Sequence, residues 1–368
     1  MHIAVLLSGG VDSSVALHLL KQEGHDVTAF YLKIWLEDEL SHLGSCPWEE
    51  DLSFARAVCE QLNVPLRIVP LQREYHDRVV THIINEIKAG RTPNPDIMCN
   101  QLIKFGAFEE AAGKDFEKIA TGHYAQVVYE NGFYHLYRSP DERKDQTYFL
   151  ALLSQQQLSR ALFPIGAMRK EEVRDYARRH NLPTQARKDS QGICFLGKIA
   201  FSDFIKHHVG VRQGVLREYE TGLDLGAHEG FWYYTIGQRH SIGLSGGPWY
   251  VVSKDTDRNI VYISKSYYTP DKKRDFVRVN FFNWIGEAPQ LPGNFLIKLR
   301  HGEKMCRGTM TPLESQVESA TPAASQQIYP EKTGRYEIML DNNDQGIASR
   351  QYAVVYQDTH CLGGGIIE

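Results

Sequence analysis

Apolar residues first gather in a short unbroken run, Ile3-Ala4-Val5-Leu6-Leu7, the pattern of a strand buried on both faces. Val15, Ala16, Leu19 and Leu20 follow at helical spacing. The polar stretch between them, Ser8-Gly9-Gly10-Val11-Asp12-Ser13-Ser14, is therefore predicted as a strand-to-helix turn. The alternation continues. Residues 27–32 and 66–69 read as further strands, and Leu52, Ala55, Cys59 and Leu62 mark a helix face. Helices are predicted around 75–88 and 103–112. A short strand, Lys118-Ile119-Ala120, runs into Thr121-Gly122-His123-Tyr124, and helices over 155–162 and 170–180 complete the region. Such alternation predicts an α/β domain over residues 1–204, a Rossmann-like parallel sheet covered by helices. Ligands in that architecture sit beyond the carboxyl ends of the strands, where the Ser-Gly-Gly turn and Thr121-Gly122-His123 both fall.

After residue 204 long amphipathic helices stop and Gly, Tyr and Trp become frequent. A small turn-rich central domain is predicted over 205–275, with Lys272-Lys273-Arg274 at its end. Short strands at 277–280, 295–299, 307–310, 336–340, 352–356 and 361–367 predict a C-terminal β-barrel domain over 276–368. Residues 309–333 read as a polar excursion within it. A formal net charge of −4 over 368 residues does not announce a nucleic-acid binder, so any RNA-binding surface must be local. No apolar run reaches membrane-spanning length, and the chain enters a core strand at once. The expectation is a cytoplasmic enzyme with no signal peptide and no membrane contact. Six cysteines lie far apart with no Cys-x-x-Cys pair, so no metal site is expected. Cys46, Cys59, Cys306 and Cys361 read as small buried hydrophobes.

In the first turn, two glycines let the backbone approach a ligand closely. Free N–H groups at the helix start, with Ser8, Ser13 and Ser14, suit phosphate oxygens. No Lys-Ser/Thr pair closes the loop, so it is not a Walker motif. It resembles the pyrophosphate loop of N-type ATP pyrophosphatases, which cleave ATP to AMP and pyrophosphate. Gly90-Arg91-Thr92-Pro93-Asn94-Pro95-Asp96-Ile97-Met98-Cys99-Asn100 holds two prolines and two asparagines, which predict a rigid loop until after Cys99. Lys188-Asp189-Ser190-Gln191-Gly192-Ile193-Cys194-Phe195 reads as a second loop. Its cysteine lies 95 positions beyond Cys99, so only the fold brings the two together.

These stretches together resemble the tRNA-specific 2-thiouridylases, nearly end to end. The likeness includes Ala120-Thr121-Gly122-His123-Tyr124, Lys144-Asp145-Gln146, Leu162-Phe163-Pro164, Thr235-Ile236-Gly237-Gln238-Arg239, Pro248-Trp249-Tyr250-Val251-Val252 and Cys361-Leu362-Gly363-Gly364-Gly365-Ile366-Ile367. It implies ATP-dependent replacement of the C2 oxygen of the wobble uridine by sulfur, with ATP and Mg2+ as cofactors. The implied partners are tRNA and a persulfide sulfur-carrier protein. It further implies that Leu6, Leu7, Ser8, Gly9, Gly10, Val11, Asp12 and Ser13 bind ATP, with Leu32 and Gly122. Asp12 would help hold the cation. Cys194 would carry the persulfide. Cys99 would attack it or take the proton, ending in a Cys99–Cys194 disulfide, and Asp96 would polarise the base or its attacking group. Asn94, Pro95 and Asp96 match the segment that meets the target base. Lys144, Asp145, Gln146, Arg300, His301, His123 and Gln351 match tRNA-contact positions. The helix bearing Arg169, Lys170, Arg174, Arg178 and Arg179 reads as a solvated face or as a set of phosphate contacts. Two rival readings are an amidating ligase of the argininosuccinate or GMP synthetase type, which needs neither cysteine, and a non-catalytic tRNA-binding protein.

Overall fold

A computed structural model describes residues 1–34, 48–189, 199–272, 274–313, 334–344 and 346–368. Cys46, Lys273, Cys194 with its neighbours from Ser190, and most of the polar excursion lie outside the described residues. In strand β1 (His2–Leu6), Ile3 and Val5 enter one apolar cluster with Leu17, Val27 and Leu52. Ala4 and Leu6 enter another with Phe30, Val79 and Ile103. Both faces are covered, which is why the run is unbroken rather than alternating. β2 (Asp26–Lys33), β3 (Leu66–Pro70) and β4 (Lys118–Ala120) join it, as does β7 (Ala161–Leu162), which lies beyond a hairpin of β5 (Ala125–Glu130) and β6 (Phe133–Arg138). The order is β3-β2-β1-β4-β7 and every pairing is parallel. The chain builds outward from β1 to β3, then returns to the other side of β1 as β4. This reversal opens a crevice beyond the carboxyl ends of β1 and β4.

The β5–β6 hairpin is absent from the sequence-based expectation. Its turn is Asn131-Gly132, with φ of +52° and +86°, the pairing that a two-residue type I′ turn demands. The loop expected around Asp96 is also corrected. A helix begins at Pro95, because Asn94 caps it by accepting from the Asp96 and Ile97 N–H groups, with proline at the first helical position.

In the central region β8 (Gly214–Glu218), β9 (Asp224–His228), β10 (Tyr250–Asp255) and β11 (Ile260–Ser264) form a sheet in the order β10-β11-β8-β9. Its own small core holds Leu216, Phe231, Trp249, Val251 and Ile263. The boundary expected at residue 204 falls within the helix Phe201–Val209. Beyond come β12 (Phe276–Trp284), β13 (Gly293–Lys298), β14 (Cys306–Pro312), β15 (Gly334–Leu340), β16 (Tyr352–Gln357) and β17 (His360–Ile367). β12 pairs with both β15 and β17, which closes six antiparallel strands into a barrel. β17 also pairs with β6, so the hairpin fastens the barrel to the first domain. No helix among the described residues is long and apolar enough to cross a membrane.

Candidate active site

The turn after β1 lies in the crevice. Leu6 and Leu7 are buried beneath it, and the Leu7 N–H donates to Phe30 O at 2.8 Å. Ser13 Oγ accepts from the Ser8 N–H at 3.2 Å, which closes the loop on itself. No side chain caps the helix Val11–Gln22, so its first N–H groups face the crevice with the positive end of the helix dipole. Gly9 has φ +75°, and a Cβ there would meet Asp51 O at 2.2 Å. A Cβ on Gly122 would meet Ser13 N at 2.7 Å, so only glycine lets the turn after β4 lie against this loop. The result is a cradle of main-chain donors and hydroxyls sized for phosphate oxygens. Leu32, near the end of β2, packs half-buried on the same side of the sheet as Leu6.

Asp12 reaches outward from the first turn of that helix. It accepts from Tyr124 Oη at 2.8 Å and from Lys170 Nζ at 2.8 and 2.9 Å. Lys170 Nζ also lies 2.8 Å from Asp189 Oδ1. Asp189 binds Lys144 at 2.7 Å and Arg174 as well. Burial would raise the Asp189 carboxyl, but the hydrogen bonds from Lys144 and Lys170 outweigh it and hold it well below the usual carboxylate range. Burial and the neighbouring Asp12 push the Tyr124 phenol far up, so it remains a donor. Arg187 donates to Gly9 O at 2.7 Å and to Asp51 at 2.6 Å. The segment that leads towards Cys194 is thus tied to the phosphate loop directly through Arg187 on Gly9 O, and indirectly through Asp189 and Lys170 to Asp12. The sequence reading missed Lys170 as part of this site, for its side chain is buried rather than solvated. A lysine in a helix's first turn opposes the dipole, and that is a readable signal of an outside carboxylate partner.

The second half of the site begins at the capped helix. Cys99 is buried one turn after Pro95, in an unbroken helical path through Cys99–Ala107. Next to it, Asn100 donates to Phe149 O at 3.2 Å and accepts from Lys104 at 2.9 Å. His123 is buried, its Nδ1 2.6 Å from Thr121 Oγ1 and its ring against Phe163. Burial, with Lys104 nearby, drives its imidazole well down, so it is neutral. From the barrel, His301 lays its ring on Phe149 at 4.4 Å, and burial with Lys298 nearby lowers its imidazole against the pull of Asp145 and Asp96. Gln351 donates to Thr92 O at 2.9 Å.

Of the expected tRNA-contact segment Lys144-Asp145-Gln146, Asp145 is buried while Lys144 and Gln146 are partly exposed. Asp145 is fully buried, bound by Arg138 at 3.1 Å and by Lys298 of the barrel at 2.9 Å, so its carboxylate faces no solvent. Gln146 accepts from the Tyr124 N–H at 3.0 Å. Lys144 reaches Asp189. Arg300 is half-exposed and holds Asp344. Cys194 lies outside the described residues, so its distance from Cys99 is not part of this geometry. Asp12 as one carboxylate beside a phosphate cradle fits Mg2+, which is commonly held by one or two carboxylates plus substrate phosphates.

The model of a family described as the tRNA methyl transferase HUP domain matches residues 1–198. Models described as the tRNA methyl transferase PRC-barrel domain and the aminomethyltransferase beta-barrel domain match residues 202–265 and 308–367. The tRNA-specific 2-thiouridylase MnmA of Parabacteroides distasonis is 44% identical over 374 residues, covering 100% of this chain and 99% of its own. A relative of the same name from Porphyromonas gingivalis is 42% identical over 377 residues, with 100% and 99% covered. MnmA 1 of Bacteroides thetaiotaomicron is likewise 42% identical over 373 residues, again with 100% and 99% covered. These matches run through all three domains and take in both the phosphate loop and the Cys99 helix, and the chain belongs to the tRNA-specific 2-thiouridylase family.

Proposed function

We propose that this protein is an ATP-dependent tRNA sulfurtransferase that replaces the C2 oxygen of the wobble uridine by sulfur. The observation that carries this reading is the phosphate cradle and the capped Cys99 helix together in a chain matched over its whole length by 2-thiouridylases. Asn100, next to Cys99, accepts from Lys104, and Gly122, next to the buried His123, lies against the phosphate loop. The reading needs the Cys99 helix and the phosphate cradle to serve one base. Methyl transfer, which the family model's description names, has no need of a loop built to cleave ATP.

ATP, when bound with Mg2+, turns the C2 oxygen into part of a leaving group. The chain's own groups do the rest. The N–H groups of the helix start, Ser8 and Ser13 hold phosphate oxygens. Lys170 stands beside Asp12, where it offsets negative charge gathering on the departing pyrophosphate. Asn94 fixes the helix start, and Asp96 on its first turn orients the base edge. Cys194 holds sulfur as a persulfide received from a carrier protein. Its terminal sulfur bonds to C2 as the C2–O bond to AMP breaks. The Cys99 thiolate then attacks the Cys194 sulfur, which leaves the new sulfur on C2 and a Cys99–Cys194 disulfide. A thiol reductant returns both cysteines.

Cys99→Ser and Cys194→Ser should each abolish thiolation while pyrophosphate exchange with tRNA persists. A Cys194→Ser chain that still thiolated tRNA when given a persulfide-loaded carrier would overturn this route.

A further inference from the structure

Eight non-glycine residues among those described have positive φ, and six of them are Asn, Asp or Ser, whose short polar side chains tolerate it. The other two are Phe281 at +52° and Arg350 at +70°. Both line the same cleft of about 200 Å³, together with Arg91, Asn280, Ser349 and Ile366. Phe281 falls where β12 shifts register against β15 and β17, a bulge that accounts for its φ, and the strained backbone of Arg350 points to a function for its side chain.

The cleft lies between the first domain and the barrel. Glu86, almost fully buried, is the partner of two of its lining residues. Arg91 grips Glu86 through Nε and Nη2, and Arg350 through Nε at 3.1 Å. Two guanidinium groups around one carboxylate leave a net positive charge. Glu368 on the rim is already bound by Arg335 at 2.7 Å. Among the described residues the terminal amino groups of Arg350 have no hydrogen-bond partner. Anchoring through Nε leaves that end as a fork, the shape that matches two oxygens of a phosphate. The position is specific. Ser349 O accepts from the Thr92 N–H at 3.0 Å and Gln351 donates to Thr92 O, so both neighbours of Arg350 are bound to Thr92. Two residues on, Asn94 caps the helix that carries Asp96 and Cys99.

We infer that Arg350 and Arg91, oriented by Glu86, form a binding site for an RNA backbone phosphate next to the nucleotide being modified. This rests on the tRNA reading above. A uridine presented to the Asp96 helix brings an adjoining phosphodiester past Thr92 to this cleft. Glu86 keeps the two arginines extended and together, and Arg350 accepts its unfavourable backbone to aim its fork.

The test is the binding of an unmodified tRNA transcript across a salt series. For Arg350→Gly the slope of log affinity against log salt should fall by about 1, and affinity at low salt should drop about tenfold. Its melting temperature is read alongside, since glycine relieves the φ while Glu86 loses one of its two cations. Glu86→Gln frees the two arginines from their common anchor and should flatten the slope as well. An unchanged slope in Arg350→Gly, beside a steep one in the unaltered protein, would overturn the phosphate site. Should Arg350→Gly not fold, an unchanged slope in Glu86→Gln would overturn it equally. Salt-independent tRNA binding by the unaltered protein would instead count against the tRNA reading itself.

Discussion

Lys170 carries the clearest single-residue prediction. Its ammonium is nearly buried between Asp12 and Asp189, at the open end of the phosphate cradle. Lys170→Ala should lower kcat about 100-fold while tRNA affinity stays within twofold, measured by AMP release at saturating tRNA. A loss confined to affinity would make it a tRNA contact instead. Histidine supplies a second prediction. Burial lowers the imidazoles of His123, His18 and His82, chiefly by desolvation. Their folded values lie below the unfolded value of about 6.5, so the unfolded chain binds more protons below that pH. Stability is therefore complete above about pH 6.5 and declines as pH falls, by up to about 1.4 kcal/mol per pH unit for each such group. Thermal melting at pH 7 and pH 5 should show the decline, and His123→Asn should flatten it. Equal melting temperatures at the two pH values would contradict this. Asp189 acts in the opposite range. Its carboxyl is held down, so its ion pairs persist as pH falls past the ordinary carboxylate value of about 3.9 and are lost only below it.

Among elements, the short helix Pro95–Met98 matters most, because it sets where Asp96 and Cys99 stand. Asn94→Ala removes the cap and should cost about 1 kcal/mol. Thiolation should fall further than stability alone explains, and Asn94→Asp should restore both. Denaturant unfolding together with a thiolation rate checks this. An Asn94→Ala chain with full thiolation would show that the helix start does not position the site. How much was legible differs from element to element for physical reasons. The first strand and its turn were plain, since a run of five apolar residues followed by Ser-Gly-Gly is decided locally. The Asn94-Pro95 start was misread as loop. Proline was weighed as a helix breaker, although at the first helical position its missing N–H has no partner to lose. The β5–β6 hairpin was missed although Asn131-Gly132 announces it, because its strands pair outward to β17, far along the chain.

On the scale of the whole molecule, the barrel is joined to the first domain by charge as well as by sheet. Lys298 and Asp145 have fully buried side chains, and Arg138 shares the same carboxylate. Lys298→Met leaves that carboxylate with one cation in the interior and should destabilise the protein by about 3–5 kcal/mol in urea unfolding. A change under about 1 kcal/mol would mean that Arg138 alone suffices. Such long-range meetings were not legible. Lys144-Asp145-Gln146 could be set on a tRNA-contact segment by resemblance, but nothing local tells that Asp145 turns inward to a lysine more than 150 residues away. The same limit hid the Asp12–Lys170 pair and the seam between β12 and β17.

The central claim is that ATP cleavage and sulfur delivery happen to one base in one crevice. The direct test is to incubate the unaltered protein with ATP, Mg2+, a persulfide-loaded carrier protein, a thiol reductant and a tRNA bearing an unmodified wobble uridine. AMP is then counted, and the digested nucleosides are weighed by mass spectrometry. The account predicts a single 2-thiouridine at the wobble position and one AMP for each. AMP release with no thiolated nucleoside, or thiolation without ATP, would contradict it.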